Sequence, residues 1–150
     1  MPVQTSTGVL MGIVKAVPAT YDQAGFEALT FVNVGEVTDI PEYGPTVQVV
    51  THEPLATGVT EKYKGFVNYG SVSIGLGYDI SDAGQVILSE GTDGTGQFDE
   101  HSVSFTYPSG DVDYFTCKVF SYTKNPGSAN SIVASTASVE INTKVVVVPA

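Results

Sequence analysis

The chain has 150 residues, of which 42% are hydrophobic, and this is enough for one folded domain with a core. Sixteen acidic residues against six lysines and no arginine give a formal net charge of −10, which disfavours a DNA- or RNA-binding protein because such proteins hold phosphates with lysine and arginine. The single cysteine excludes an internal disulfide, and no apolar run approaches the ~20 residues that span a bilayer.

Three strands are predicted in the first half of the chain. Residues 1–8 are small and polar, which is typical of an N-terminal arm, and they contain no basic segment that would begin a secretory signal. Alternating aliphatic residues predict a strand over 9–17, and β-branched and aromatic residues predict a second strand over 29–37. The sequence SVSIGLGYDI, residues 71–80, predicts a third strand with one buried face.

Residues 42–64 are the unusual part of this half. Prolines and glycines interrupt the strand pattern, yet the segment has too many aliphatic side chains for a free solvent loop. We predict a long assembly loop that is mobile in the monomer and becomes ordered against a neighbouring subunit. Its candidate interface residues are Val47, Val49, Val50, Leu55 and Val59.

One helix is predicted, over residues 81–91 with the sequence SDAGQVILSEG. Ser81 is the expected N-cap, and Gly91 is the expected residue just after the helix end. Gly84 lowers the intrinsic helix propensity, so the helix should need a sheet to pack against. Residues 19–28, by contrast, are predicted to be loop.

The last third of the chain contains the strongest local pattern, a predicted β-hairpin. Val103, Phe105 and Tyr107 alternate up to a Pro-Ser-Gly-Asp turn, and a second apolar run follows the turn. Residues 133–145 alternate again. Roughly six strands and one helix are therefore predicted, in a single mainly β domain: an antiparallel β-sandwich or split barrel with one flanking α-helix and a long inter-strand loop.

No catalytic, cofactor-binding or metal-binding motif is found. The glycine-rich segment GTDGTGQF has Gln97 and Phe98 where a phosphate-binding loop needs lysine and serine or threonine. The two histidines lie on different elements, and a zinc site needs three or four ligands. Cys117 lies in an apolar strand and is expected in the core, while Asp111 and Asp113 are expected to be solvated turn residues. We therefore expect neither an enzyme nor a cofactor.

Four sequence motifs occur in an order and at a spacing that are similar to one known family. They are GEVTDIP, TVQVVTHEP, KGFVNYGSVSIGLGYDISDAGQ and YPSGDVDYFTCKV. Together they resemble the major tail tube proteins of long, non-contractile phage tails, over about residues 26–148. Residues 78–85 are similar to the family's helix entry. The family's P-x-G-x-x-D-x-F hairpin motif matches Pro108, Gly110, Asp113 and Phe115.

The resemblance implies a structural virion protein. Six subunits would form a ring, rings would stack into the tail tube, and the inner sheets would join into one closed barrel without free edges. The tape measure protein and then genomic DNA would pass through, the DNA without specific binding. Further partners would be the tail terminator and distal tail proteins. Assembly in the bacterial host cytoplasm, a place in the virion tail and no membrane contact are also implied.

Lumen candidates are the polar or small residues on strands whose other face is apolar. They are Ser71, Ser73, Glu140, Asn142 and Lys144. A solvent-facing outer sheet would show the same pattern. The acidic composition is consistent with a lumen to which DNA does not adhere.

Two other functions remain open. One is the tube protein of a contractile or secretion apparatus, which shares the fold of the resembled family. The other is a small ligand-binding β-sandwich on the virion surface, which would need a concave aromatic site. Tyr107, Tyr114 and Tyr122 are the candidates for that site.

Overall fold

A computed structural model describes residues 3–150, which form ten strands and two helices. The strands are β1 (Leu10–Val14), β2 (Val32–Val34), β3 (Val37–Asp39), β4 (Thr46–His52), β5 (Glu61–Asn68), β6 (Ser71–Gly77), β7 (His101–Thr106), β8 (Val112–Asn125), β9 (Ala134–Ile141) and β10 (Val146–Val148). The helices are α1 (Gln23–Glu27) and α2 (Ala83–Asp93). Within these described residues, neither helix has the length and apolar character to cross a membrane. The first two residues of the predicted N-terminal arm lie outside the described residues.

Eight strands form one antiparallel sheet in the order β2–β1–β7–β8–β9–β6–β3, with β10 paired to β8. The first and last strands of this order, β2 and β3, are separated in sequence only by Gly35 and Glu36. The sheet must therefore curl until its two ends meet at a seam. The predicted mainly antiparallel β fold is confirmed, with two helices instead of one and with more strands than predicted.

The apolar face of the sheet lies inside this curl. Its largest fully buried side chains on the strands are Phe105, Phe115, Met11, Ile13, Ile74 and Leu76. Cys117 is fully buried among them, as predicted, and burial raises the pKa of its thiol. A second cluster contains Phe26, Tyr114 and Val148, so β8 contributes to both clusters with alternate residues.

Helix α2 closes the seam of the sheet. The carboxylate of Asp82 accepts hydrogen bonds from the backbone N–H of Gln85 and from that of Gly35, at 3.0 Å each. The buried Gln85 amide donates in turn to the carbonyls of Gly35 and Gly77. The N-cap is therefore Asp82, and the prediction of Ser81 was wrong by one residue, because only the aspartate satisfies a donor of the sheet as well as one of the helix.

Two glycines let α2 approach the sheet. A Cβ at Gly84 would lie 2.6 Å from the Cα of Val34, and a Cβ at Gly91 would lie 3.0 Å from the Cβ of Val119. Gly91 is thus a packing residue inside the helix, and its predicted place after the helix end was wrong. The helix ends two residues past it, with Gly94 as the C-cap.

Two predicted strands and one predicted loop differ in detail from the elements observed in the structure. The first strand is shorter than predicted, and the second is divided by the seam, where Glu36 adopts a positive φ of 62°. Residues 19–28 contain helix α1, with Asp22 as an N-cap that accepts from the N–H of Gly25. A helix of five residues is too short to show a period, but it buries Phe26 completely.

The predicted loop over 42–64 was wrong for residues 46–52 and 61–64, because these residues belong to a second sheet of two strands, β4 and β5. Most glycines and prolines of residues 41–65 lie at the root of the hairpin and in its connection, outside the strands: Pro41, Gly44, Pro45, Pro54 and Gly58. Gly65 is the exception, because it lies inside β5, where the register shifts.

His101 on β7 should make the fold sensitive to acid. It is fully buried, neither ring nitrogen has a hydrogen-bond partner, and burial lowers the pKa of its imidazole below the ordinary 6.5. The unfolded chain therefore binds the proton first as the pH falls. We expect the free energy of unfolding to decrease by up to about 1.4 kcal/mol per pH unit below about pH 6.5, until the folded-state pKa is reached.

Urea denaturation at pH 7.5 and pH 5.5 checks this prediction. His101→Leu should lose less stability between the two values than the natural chain does. His52→Leu, which alters the exposed histidine on β4, should behave like the natural chain. An identical pH dependence in all three proteins would contradict the assignment to His101.

Candidate assembly interface

The β4–β5 hairpin is separate from the curled sheet. Among the described residues its strands pair only with each other, and every residue in them is exposed except the half-buried Gly65. An isolated two-stranded hairpin is at best marginally stable in water. The geometry therefore favours a segment that is stabilised by contact with another molecule.

Both strands of the hairpin carry exposed apolar side chains. The five residues predicted from the sequence are all exposed, three on β4 and two in the connection between the strands: Val47, Val49, Val50, Leu55 and Val59. Sequence reasoning missed three more on β5, namely Tyr63, Phe66 and Val67. The pattern did not predict these residues because a bulge shifts the register between Val47 and Val49 and interrupts the alternation along the hairpin. Phe66 is 87% exposed.

A half-buried polar network anchors the root of the hairpin. The hydroxyl of Tyr43 donates to the carboxylate of Asp113 at 2.5 Å, and the hydroxyl of Tyr107 donates to the same oxygen at 3.1 Å. Burial first, and then the bond to Asp113, raise the pKa of Tyr43. Burial also raises the pKa of Tyr107. Tyr43 directly precedes Gly44 and Pro45, so the network fixes the chain where it leaves the sheet.

The network also corrects the prediction for Asp113, which is no solvated turn residue. It lies beside a cleft of about 460 Å³ that Tyr43, Tyr107 and Phe105 also line. The other residues of the hairpin motif have ordinary structural roles: Gly110 takes a positive φ of 99° in the turn after Pro108, and Phe115 is buried in the core. The roles of these four residues in an assembly stay predictions.

Tyr43→Phe should destabilise the fold by about 1–2 kcal/mol, because it removes a hydrogen bond to a charged group that is only partly exposed to water. The free energy of unfolding in urea measures this effect. Tyr21→Phe, at an exposed ring, is the matched control and should leave that free energy unchanged. Equal stability of Tyr43→Phe and the natural chain would show that the network does not hold the root.

The second candidate surface is the exposed face of what we call the inner sheet: β3, β6, β9 and residues 118–125 of β8. Ser71 lies opposite Glu140, Ser73 lies opposite Ser138, and Lys118 lies on the other side of Glu140. The structure thus brings three lumen candidates together on one exposed face of small polar side chains. Asn142 and Lys144 follow β9 and are also exposed. Whether this face lines a lumen stays a prediction.

Both edges of the inner sheet are open in the single chain. Strand β7 pairs with β8 only as far as Cys117, so residues 118–125 have β9 on one side and, in the described part of the chain, no strand on the other. A bulge in this segment leaves Phe120 65% exposed. At the opposite edge, β3 pairs only with Gly75 and Leu76 of β6, which leaves one side of residues 71–74 free. Open edges are surfaces for pairing with another chain.

The tyrosines proposed for a ligand site lie in three separate environments. Tyr107 belongs to the network at the hairpin root, Tyr114 stacks on Phe26 at 5.3 Å between ring centroids, and Tyr122 donates to the buried Gln85. They do not line one shared cleft. Within residues 3–150, no group of three or more His, Cys, Asp or Glu side chains is arranged to hold a metal ion.

The fold is similar to that of solved chains from baseplate, tail and injection-system assemblies. One is from the baseplate of the anti-feeding prophage (AFP), with a TM-score of 0.65, 8% identity, and coverage of 99% of this chain and 97% of that chain. Another is from the tail of an empty GTA particle, with a TM-score of 0.65, 14% identity, and coverage of 95% and 97%.

A third matching chain is from the sheath/tube terminator of PVC, an extracellular contractile injection system. Its TM-score is 0.63 at 10% identity, with coverage of 99% of this chain and 97% of that chain. Neither protein-family models nor curated proteins give a match to the sequence. Identities this low show a shared fold and nothing beyond it.

Proposed function

We propose that the chain is a structural subunit of a phage tail tube. Six copies form a ring, and the rings stack into a tube that conducts the tape measure protein and then genomic DNA. The fold supports this proposal, since chains of nearly the same length from tail and injection assemblies share it, and two of those structures have six-fold symmetry. The subunit has no catalytic role in this proposal, and it works in the virion tail after assembly in the bacterial host cytoplasm.

The observation that carries the proposal is the inner sheet, which is open at both edges. Residues 118–125 on one edge and residues 71–74 on the other pair with β9 on their inner side and, within residues 3–150, have no strand on their outer side. Pairing the first edge of one copy with the second edge of the next would satisfy the backbone groups of both. Repeated around a ring, this pairing closes a barrel, which is the one arrangement of a sheet that leaves no edges.

The exposed face of the inner sheet suits a channel for DNA. On β6, β8 and β9 the residues that alternate away from the core are mostly Ser, Thr, Gly and Ala, with one lysine, Lys118, opposite one acid, Glu140. Such a face offers no cluster of cations to bind phosphates, and its short side chains leave the channel open. Most of the net charge of −10 therefore lies elsewhere on the molecule.

The tube of a contractile injection system is a second candidate. The PVC structure that shares the fold comes from a system of that kind. A non-contractile tail is preferred here because of the sequence motifs described above. The two differ in one property, since a contractile tube is surrounded by a sheath. The outer surface of the ring would then bind a sheath protein encoded near it, and a non-contractile tube would not.

Electron microscopy of the purified protein tests the proposal. Negatively stained samples at high protein concentration should contain rings and hollow tubes, and tail terminator and distal tail proteins should bind the ends of those tubes. A protein that remains monomeric at every concentration, with no tubes in infected cells, would overturn it.

A further inference from the structure

The end of the inner sheet that lies farthest from the hairpin carries a second exposed surface. The hairpin joins β6 at Ser71, whereas the surface lies at Gly77, about 20 Å away along the strand. There the backbone N–H of Tyr78 donates to the carbonyl of Val133, which holds two chain segments side by side. Ile80 and Ile132 lie in these two segments, and their side chains are 62% and 84% exposed.

Two carboxylates accompany these isoleucines. Asp79 directly precedes Ile80, and the backbone carbonyl of Glu36 accepts from the N–H of Gly77 at 2.8 Å, which places Glu36 at the same end. We call the four residues Glu36, Asp79, Ile80 and Ile132 the receiving end. Within residues 3–150 the one ion pair joins Lys15 and Asp99, so neither acid of the receiving end has a cationic partner.

The backbone conformation of Glu36 indicates a functional role for its side chain. It is the one non-glycine residue with a positive φ in the described part of the chain. That conformation costs free energy for any residue with a Cβ, and glycine would adopt it without strain. Strained backbone conformations cluster at functional sites, and within residues 3–150 the carboxylate of Glu36 has no ion-pair partner.

One face of the β4–β5 hairpin carries positive charge and apolar side chains, which complement the carboxylates and isoleucines of the receiving end. Lys62 pairs across the ladder with Thr51, and Lys64 pairs with Val49, so both lysines lie on the face that also carries Val47 and Val67. Two of the six lysines of a strongly acidic chain are thus concentrated on one side of its most exposed apolar element. We call this side the lysine face.

We propose that the receiving end of one copy binds the lysine face of the hairpin of a second copy, so that stacked rings are joined by apolar contacts and by pairs between Lys62 and Lys64 and the carboxylates of Glu36 and Asp79. This inference rests on the proposed stacking of rings. The two surfaces lie at opposite ends of the inner sheet, so the same contact repeats from ring to ring without limit and produces a tube.

A charge-swap experiment tests the contact. Lys62→Glu with Lys64→Glu should raise the protein concentration needed for tube formation at least about tenfold, because like charges then face each other. Glu36→Lys with Asp79→Lys should do the same. The four substitutions together should restore tubes, whereas Glu90→Lys, an exposed charge reversal on α2, should have no effect. Melting temperatures of the monomers show that each variant is folded.

A single substitution separates an assembly role of Glu36 from a structural one. Glu36→Gly should raise the melting temperature of the monomer, because it relieves the strained backbone, and should still weaken tube formation. A variant that is more stable and assembles as well as the natural chain would overturn the role of Glu36.

The outcomes distinguish this inference from the proposed function. If the natural chain forms no tubes, the proposed function itself fails. Two results would contradict the proposed contact at the receiving end: tubes that form equally well from the variant with both lysines reversed, or a fourfold variant that does not restore tubes. In either case the rings would stack through other surfaces.

Discussion

Tube formation should be abolished when residues 46–68 are replaced by a short Gly-Ser linker, while the rest of the chain stays folded. Thr46 and Asn68 are paired across the ladder, so their Cα atoms are only about 5 Å apart and a linker of a few residues closes the gap. The network of Tyr43 and the curled sheet remain intact. We expect the free energy of unfolding to change by less than about 1 kcal/mol, because the deleted strands are exposed.

The hairpin experiment needs two controls. Replacing Val47, Val49 and Val67 with threonine keeps the strands but removes the apolar surface, and it should also prevent assembly. Gln48→Thr keeps all three valines and should assemble normally. Sedimentation and electron microscopy report assembly, and urea denaturation reports the fold. Normal tubes from the deleted variant would show that the hairpin is not the stacking element.

Ring closure should be lost in Phe120→Asp. Phe120 lies in the bulge on the open edge of β8 and is 65% exposed, so its replacement costs the monomer little stability. In a closed ring the same residue would lie at the junction between two copies, where a carboxylate would be desolvated without a partner. Sedimentation velocity should show monomers at concentrations where the natural chain forms larger species.

Phe98→Asp is the matched control for ring closure. Phe98 is 85% exposed but lies on the connection between α2 and β7, outside the strands of the inner sheet. This variant should assemble like the natural chain. If Phe98→Asp and Phe120→Asp impaired assembly equally, exposed aromatic surface in general would explain the loss, and the edge-pairing proposal would lose its support.

Parts of the fold were predictable because their signals are local. The β7–β8 hairpin combines alternation with a Pro-Ser-Gly-Asp turn, and β6 alternates without interruption from Ser71 to Gly77. Either pattern can be recognised without knowing what the chain packs against. The same is true of Cys117, since an apolar strand determines its environment.

Other parts depend on contacts between residues far apart in the sequence. Asp113 lies 70 residues from Tyr43, and nothing near Asp113 in the sequence indicates that hydroxyl partner. The seam likewise joins the two ends of the sheet through Gly35 and Glu36, which look like the middle of one continuous strand. The hairpin was taken for a loop because the turn-forming residues at its root and in its connection outweighed the pattern of its two strands.

A cryo-EM reconstruction of tubes assembled from the purified protein tests the central claim most directly. The proposal predicts six copies in each ring and a channel lined by the exposed face of the inner sheet, with Ser71, Ser73 and Glu140 facing the lumen. A reconstruction in which Glu140 and Asn142 are buried between subunits, or in which this face lies on the outside of the tube, would contradict it.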